Sequence, residues 1–409
     1  MSANSRTDGS DAGTGDPPQA CGCDDLAREL VRSALQSQRV TSFLGSAGRI
    51  LSCSPLRVER LFVSMKALHP AFRARTYLWK LETDRVSSVN WSHGLENRPG
   101  YYDSPDHFVH GTGSELRVRR PGDGGERTCE LYGTLHNEDY TDYLIVPLRF
   151  NDGTVNTLSI ATKEPKGLRD HDLDWFRQSV PLFTVILERH AALEALDAVL
   201  DTYLGDNVGQ QIRAGRIRPG DGELIDAGIL IADLHDFTRH AARLGPTDTV
   251  GLLNTYFDCL VEPIRESGGH VLKFMGDAIL AFFPMLQDVA APTPLQAILA
   301  IRERFAALNE ARAQASRTQL RHALCLHYGP VLYGNIGSSD RFDFTIIGDA
   351  VNLTARGVDA AKELGVEYLF TAAFVERFGV AGLTRCGRRV VQGIDDPLEM
   401  FTLADGISR

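Results

Sequence analysis

No stretch of this sequence is long and apolar enough to cross a membrane as a helix. The longest nearly uncharged apolar runs, residues 180–187 (VPLFTVIL) and 278–286 (AILAFFPML), fall well short of the roughly 20 residues a span needs. The N-terminus, MSANSRTDGSDAGTGDPPQACGCDD, lacks a basic leader and an apolar core, so it does not read as a secretory signal and the cytoplasm is the expected compartment. Blocks of Lys and Arg are also missing. With 43 Lys+Arg against 53 Asp+Glu and a formal net charge of −10, the chain has no general attraction for nucleic acid or an anionic membrane, and neither is expected as a partner. Cysteine is scarce. The seven residues Cys21, Cys23, Cys53, Cys129, Cys259, Cys325 and Cys386 are odd in number and scattered, which suits reduced thiols better than a disulfide framework. Cys21-Gly22-Cys23 has no second CxxC or His pair near it and is read as incidental.

The chain has 409 residues, 43% of them apolar, which at roughly 150 residues per domain gives two or three domains with ample core material. Residues 1–24 are rich in Gly, Ser, Asp and Pro and cannot offset their own ordering entropy, so a disordered tail is expected. Two helices should follow, one over 25–40 and one opening with Ser54 as N-cap and Pro55 at the first helical position. Short β-branched or aromatic stretches at 75–81, 143–150 and 154–161 then read as strands, the last two joined by the hairpin turn Asn151-Asp152-Gly153. This mixed α/β module, 25–166, resembles a GAF-type sensor domain in the order of its elements, with no residue motif carrying the likeness.

Residues 170–204 form one long helical pattern. Leu173, Phe176, Val180, Phe183, Leu187, His190, Leu193, Leu196, Leu200 and Tyr203 make a single apolar stripe, with a bend expected at Pro181 and a C-cap at Gly205. Such a seam fits either a parallel pair with a second copy or a helix folded back over the sensor domain. We take 167–222 as a helical linker and 223–409 as a further domain. Its predicted elements run strand 227–234, helix 247–267, strands 271–274 and 278–283, helix 288–314, strand 321–328, strand 342–347, helix 349–364 and strand 367–371. A βαββαβ order of this kind predicts an α+β, ferredoxin-like fold: a mostly antiparallel sheet with helices on one face.

Three motifs in this domain carry chemistry. Asp233 ends the apolar strand 229–233, with Asp236 and Phe237-Thr238 just beyond it, and Asp277 sits at the tip of the Lys273–Asp277 hairpin. Singly, each Asp is usually a turn or capping residue. Together at adjacent strand ends, two carboxylates can hold Mg²⁺ against phosphate oxygens. In the third motif, DFTIIGDAVNLTAR, Asp349 is expected to cap a helix that carries Asn352 and Arg356 on one face. An amide and a guanidinium placed so can orient a ribose and stabilise charge on a phosphoryl group, although a polar solvated helix face has the same pattern.

In this order and spacing, IADLHDFT, KFMGDAILAFF and DFTIIGDAVNLTAR resemble the class III nucleotidyl cyclase catalytic domain, over roughly residues 227–403. The resemblance implies that Asp233 and Asp277 bind two Mg²⁺ or Mn²⁺ ions per active site. It places Lys273 and Thr345 at the positions that read the purine, and Asn352 and Arg356 at the ribose-orienting and transition-state positions; Phe237 and Thr238 are further substrate-binding candidates. It also implies a homodimer whose sites are shared, the metal aspartates coming from one subunit and the other four residues from its partner.

The ammonium of Lys273 can meet adenine N1, an acceptor, but would face the N1 proton of guanine donor to donor; Thr345 can accept from the adenine amino group. The expected reaction is therefore ATP to 3′,5′-cyclic AMP and pyrophosphate. The alternatives are a guanylate or dual-specificity cyclase, and a catalytically silent ligand-binding regulator. Two positions depart from the family pattern: Asp236, where glycine is frequent, and Gln392, where a basic residue is common, although Arg388 and Arg389 are close. The sensor's small-molecule or protein ligand is not legible. His69, His93, His107, His110 and His136 include candidate haem or metal ligands without the spacing of a metal site, and Trp79 and Trp91 suit either core or pocket wall.

Overall fold

Alternation of apolar side chains along the strands sets the architecture, because successive residues of a strand point to opposite faces of its sheet. The computed structural model describes residues 23–94, 99–122, 129–218, 220–242, 244–285, 292–338, 340–380, 382–390 and 397–404. Of the disordered tail expected over 1–24, residues 1–22 lie outside these residues, as do Cys21 and Gln392, whereas residues 23 and 24 belong to the first helix and correct the expected boundary. The chain divides into two units, Met1–Val199 and Leu200–Arg409.

The first unit holds α1 (Cys23–Gln36), α2 (Val40–Cys53), β1 (Arg60–Lys66), β2 (Ala74–Lys80), β3 (Arg85–Trp91), α3 (Pro99–Tyr102), α4 (Pro105–Thr112), β4 (Leu116–Arg119), α5 (Glu130–Asn137), β5 (Asp142–Arg149), β6 (Val155–Thr162) and most of α6 (Asp170–Leu204). Its sheet has the order β3-β2-β1-β6-β5-β4 with every neighbouring pair antiparallel. Leu61, Val63, Trp79, Leu144 and Ile160 pack with α2 and α6 on one face, whereas Tyr143, Ile145 and Ala161 pack with α4 and α5 on the other.

The second expected helix is corrected. Ser54 does not open a helix but closes α2, in extended conformation as a residue before proline tends to be, with its hydroxyl donating to Leu51 O at 2.6 Å. The two glycines of 40–53 obscured this helix in the sequence. Gly48 is there for close packing: a Cβ would lie 2.3 Å from Trp79 Cδ2.

Helix α6 has the predicted bounds and divides along its length. Leu173, Phe176, Phe183 and Leu187 are buried in the first unit's core, which is the folded-back arrangement, while Leu193, Leu196 and Tyr203 are exposed. Its start is tied to the sheet by Asp142, 1% exposed at its side chain, which accepts from Arg117 Nη2 at 2.7 Å and from the backbone N–H of Leu168 at 3.0 Å.

The second unit contains the end of α6, then α7 (Asp206–Arg213), β7 (Gly222–Leu234), α8 (Phe237–Ala241), α9 (Pro246–Glu266), β8 (His270–Met275), β9 (Ala278–Pro284), α10 (Pro294–Gln314), β10 (His322–Ser338), β11 (Arg341–Ile347), α11 (Asp349–Leu364), β12 (Tyr368–Thr371), α12 (Ala372–Phe378), β13 (Leu383–Arg389) and β14 (Leu398–Leu403). The sheet order is β13-β14-β12-β10-β7-β9-β8, with β11 paired to β10. Strands β10, β7, β9 and β8 are mutually antiparallel neighbours.

Helices cover both faces of this sheet, not one. Leu230, Ala232, Leu324 and Leu326 face α9 and α10, while the alternate residues Ile229, Ile231 and Cys325 face α11. The second face is needed because β7 is apolar on both sides, with Ala227, Ile229, Leu230 and Ala232 all fully buried. Strand β10 also runs ten residues past its expected end at 328, through Gly334, where a Cβ would lie 2.5 Å from Gly222 Cα on β7.

Candidate functional site

Asp233 is the penultimate residue of β7 and pairs in register with Ala278, the first residue of β9. Asp277 precedes Ala278 in the β8–β9 turn, so the ladder itself brings the two carboxylates together. The turn needs Gly276, whose φ of 67° is left-handed and whose missing Cβ would meet nothing. Burial, the hydrogen bond to Asp233 and the Asp233 charge push the Asp277 carboxyl up to about 6. Two acids forced together in this way form a site of surplus negative charge.

Two neighbours of the pair were not singled out in the sequence. Lys362, in the last turn of α11, places Nζ 2.6 Å from Asp233 Oδ2. Tyr256 of α9 is fully buried, its hydroxyl has no hydrogen-bond partner, and its acidity is suppressed first by burial and then by the charges of Asp233 and Asp277. The only sequence signals were spacings: Lys362 is four residues beyond Val358 on the buried side of α11, and Tyr256 is four beyond Leu252.

Asp236 takes a left-handed φ of 56°. The glycine frequent at this position thus answers a conformational need, which aspartate meets better than most residues. Phe237 opens α8 half-buried against the core beneath α9, and Thr238 is exposed beside it.

Lys273 of β8 is ion-paired with Asp343 of β11. Thr345, two residues along the same strand and so on the same face as Asp343, is 7% exposed, and its Oγ1 is buried without a hydrogen-bond partner. A hydroxyl so placed has an unused acceptor. Asn352 and Arg356 both lie on the exposed side of α11, where Arg356 makes a 3.7 Å contact with Asp359. Asp349 is in the first turn of α11, but the N-cap is Gly348, so the expected Asp cap is corrected. Among the described residues, no hydrogen bond or ion pair joins the Asp233–Asp277 pair to Lys273, Thr345, Asn352 or Arg356. Arg388 and Arg389 are each engaged by a carboxylate, Glu399 at 3.8 Å and Glu363 at 3.5 Å.

The donor set fits Mg²⁺ or Mn²⁺ of a particular kind. No group of three or more His, Cys, Asp or Glu side chains is placed to hold a metal among the described residues. A pair of carboxylates alone suits an ion that keeps waters and takes its remaining ligands from substrate phosphates.

In the first unit, a cavity of about 380 Å³ is lined by Phe62, Lys66, Trp91, Tyr101, Asp106 and His110, among others. Trp91 is thus pocket wall, with its indole N–H donating to Thr76 Oγ1 at 3.0 Å, and Trp79 is core, 0% exposed. His110 contacts the Tyr101 hydroxyl through Nδ1 at 2.9 Å, and His69 stacks on Phe72 with ring centroids 3.9 Å apart. Cys53, Cys129, Cys259, Cys325 and Cys386 are free thiols. No helix is long and apolar enough to cross a membrane among the described residues.

Residues 223–403 match the family described as adenylate and guanylate cyclase catalytic domain. Over 151 residues the chain is 32% identical to the adenylate cyclase of Anabaena cylindrica, covering 36% of this chain and 30% of that protein. It is 28% identical over 148 residues to adenylate cyclase 1 of Rhizobium meliloti (strain 1021), covering 36% of this chain and 22% of that protein. The matched segment thus spans less than a third of either relative. Among solved structures, a bacterial light-regulated adenylyl cyclase is similar at 21% identity, with 64% of this chain and 86% of that chain covered and a TM-score of 0.47.

Proposed function

We propose that this chain, whose residues 223–403 carry an adenylate and guanylate cyclase catalytic domain, is an adenylate cyclase that forms 3′,5′-cyclic AMP and pyrophosphate from ATP at sites shared between two copies. The observation that carries the reading is the Asp233–Asp277 pair, in which Asp277 is pushed up to about 6 and so marks a site completed by added positive charge. Mg²⁺ or Mn²⁺ held there would neutralise the triphosphate and acidify the ribose 3′-hydroxyl. The second half-site supplies the rest. Lys273 donates toward adenine N1, the unused acceptor of Thr345 takes the adenine amino group, Asn352 orients the ribose and Arg356 meets the charge that builds on the α-phosphoryl group.

The support for sharing is that, among the described residues, no hydrogen bond or ion pair joins the carboxylates to Lys273, Thr345, Asn352 or Arg356, together with the apolar surface around Lys273 and Thr345. Phe274, Met275, Leu332 and Ile347 are 52%, 44%, 42% and 47% exposed on β8, β10 and β11, beside Lys273 and Thr345. A ferredoxin-like core, β7-α9-β8-β9-α10-β10, is the scaffold of this reading. The first unit is taken as a GAF-like sensor whose 380 Å³ cavity receives a small molecule and whose α6 passes the response to the catalytic domain.

The test is direct. The purified chain should form cyclic AMP from ATP with Mg²⁺ or Mn²⁺ and turn GTP over much more slowly. Absence of any cyclic product at every protein concentration would leave a silent regulator. One observation favours a second reading, dual specificity: Asp343 brings a carboxylate to Lys273, and a carboxylate can accept from guanine N1–H. Comparable rates on ATP and GTP, with GTP turnover lost in Asp343→Asn, would establish it.

A further inference from the structure

Lys362 contacts the half-site that holds the carboxylates, yet it is neither a metal ligand nor placed to touch the purine or ribose groups. It follows Ala361, which is fully buried on the sheet side of α11, and lies one turn beyond the buried Val358. Its stem therefore runs along the sheet toward the end of β7, where Nζ stops 2.6 Å from Asp233 Oδ2. The ion pair is partly enclosed, the side chains of Lys362 and Asp233 being 31% and 25% exposed. An exposed Lys–Asp pair of this length contributes little. This one differs because a second carboxylate, Asp277, is within hydrogen-bonding reach of Asp233, so a single ammonium serves two acids.

We propose that Lys362 is an internal counter-ion that holds the Asp233–Asp277 pair in place until a divalent cation arrives, and that it competes with that cation for Asp233. The inference rests on reading the pair as the metal site. Lys362 is a positioning residue here: it acts through Asp233 and not on the nucleotide. Its ammonium occupies the oxygen a cation would take, and once displaced it still repels the incoming ion at short range. Both effects weaken metal binding by the chain alone. The triphosphate, which brings its own negative charge, shifts the balance back toward the metal, so the device confines tight metal binding to the nucleotide-loaded site.

The test measures Mn²⁺ binding to the full chain without nucleotide, by the electron paramagnetic resonance signal of the free ion, at about pH 8, well above the raised value of Asp277. Lys362→Met should tighten Mn²⁺ binding by about tenfold, from loss of one positive charge beside the ion, and Lys362→Arg, which keeps the charge, should bind as the wild type does. The Met variant should also melt lower without metal and gain more from Mn²⁺ than the wild type gains. A purely structural ion pair would lower the melting temperature and leave Mn²⁺ affinity unchanged. Affinity that is unchanged or weaker in Lys362→Met, or in Lys362→Gln should the Met variant not fold, overturns the proposal. The double variant Asp233→Asn/Asp277→Asn separates the two readings. If it binds Mn²⁺ as well as the wild type does, the metal site itself is misassigned; if it loses binding while Lys362→Met shows no change, only the role of Lys362 falls.

Discussion

Asp236 shows how one side chain can depart from a family pattern and keep the backbone beneath it. Its φ of 56° favours glycine, and aspartate tolerates the region where β-branched residues do not. Asp236→Val should cost about 1–3 kcal/mol of stability, whereas Asp236→Gly should stay close to the wild type, as denaturant unfolding of the two variants would show. Asp277 makes the second residue-scale prediction. Because its carboxyl is raised to about 6, the metal-free fold holds that proton more tightly than the unfolded chain does. The associated stability is present below the ordinary carboxylate range and is lost as pH rises through about 6, by no more than about 1 kcal/mol after solvent screening. Asp277→Asn should flatten that pH dependence in thermal melts. Metal binding has the opposite sign, since the ion needs ionised carboxylates: the Mn²⁺ concentration required for half-maximal turnover should climb as pH falls below about 6.

At the scale of elements, α6 does two jobs along one stripe. Its first half is core, and its position depends on the Arg117–Asp142 pair at its start. Arg117→Ala leaves the Asp142 carboxylate, 1% exposed, without its cation and should cost about 3–5 kcal/mol, measured by unfolding of the full chain. The second half leaves Leu193 and Leu196 exposed at 46% and 52%. If that half pairs with the same helix of a second copy, Leu193→Glu with Leu196→Glu should lower turnover and shift the chain toward monomer in sedimentation, with little change in melting temperature. Sequence periodicity made α6 and α11 legible to the residue, because each carries one continuous apolar pattern that stops at a glycine, Gly205 and Gly365. It failed at α2, where Gly45 and Gly48 look like turn residues and Gly48 is instead the seat of Trp79. It also fell short along β10, which was expected to end at 328 but continues to Ser338, its Gly334 permitting close approach to β7. The positions of the candidate residues were legible where a motif set their element: Asp233 at the end of a strand, Asp277 in a turn, Asn352 and Arg356 on one helix. Lys362 and Tyr256 were hidden because only the packing of α11 and α9 brings them to the carboxylates.

For the whole molecule, the proposed reading makes the chemistry depend on a second copy of the chain. Asp233 and Asp277 gather where β7 ends and β9 begins, Lys273 and Thr345 lie on β8 and β11 beside exposed Phe274, Met275, Leu332 and Ile347, and Asn352 and Arg356 lie on the exposed side of α11. Activity should accordingly rise faster than in proportion to protein concentration in the range where dimers form. The most direct measurement mixes two inactive variants, Asp277→Ala and Asn352→Ala, and follows cyclic AMP formation. Each alone should be inactive in both of its sites, and mixing should restore turnover, because one site of every mixed dimer then has an intact carboxylate pair facing an intact Asn352. Mixed dimers that form and remain inactive would contradict the shared site.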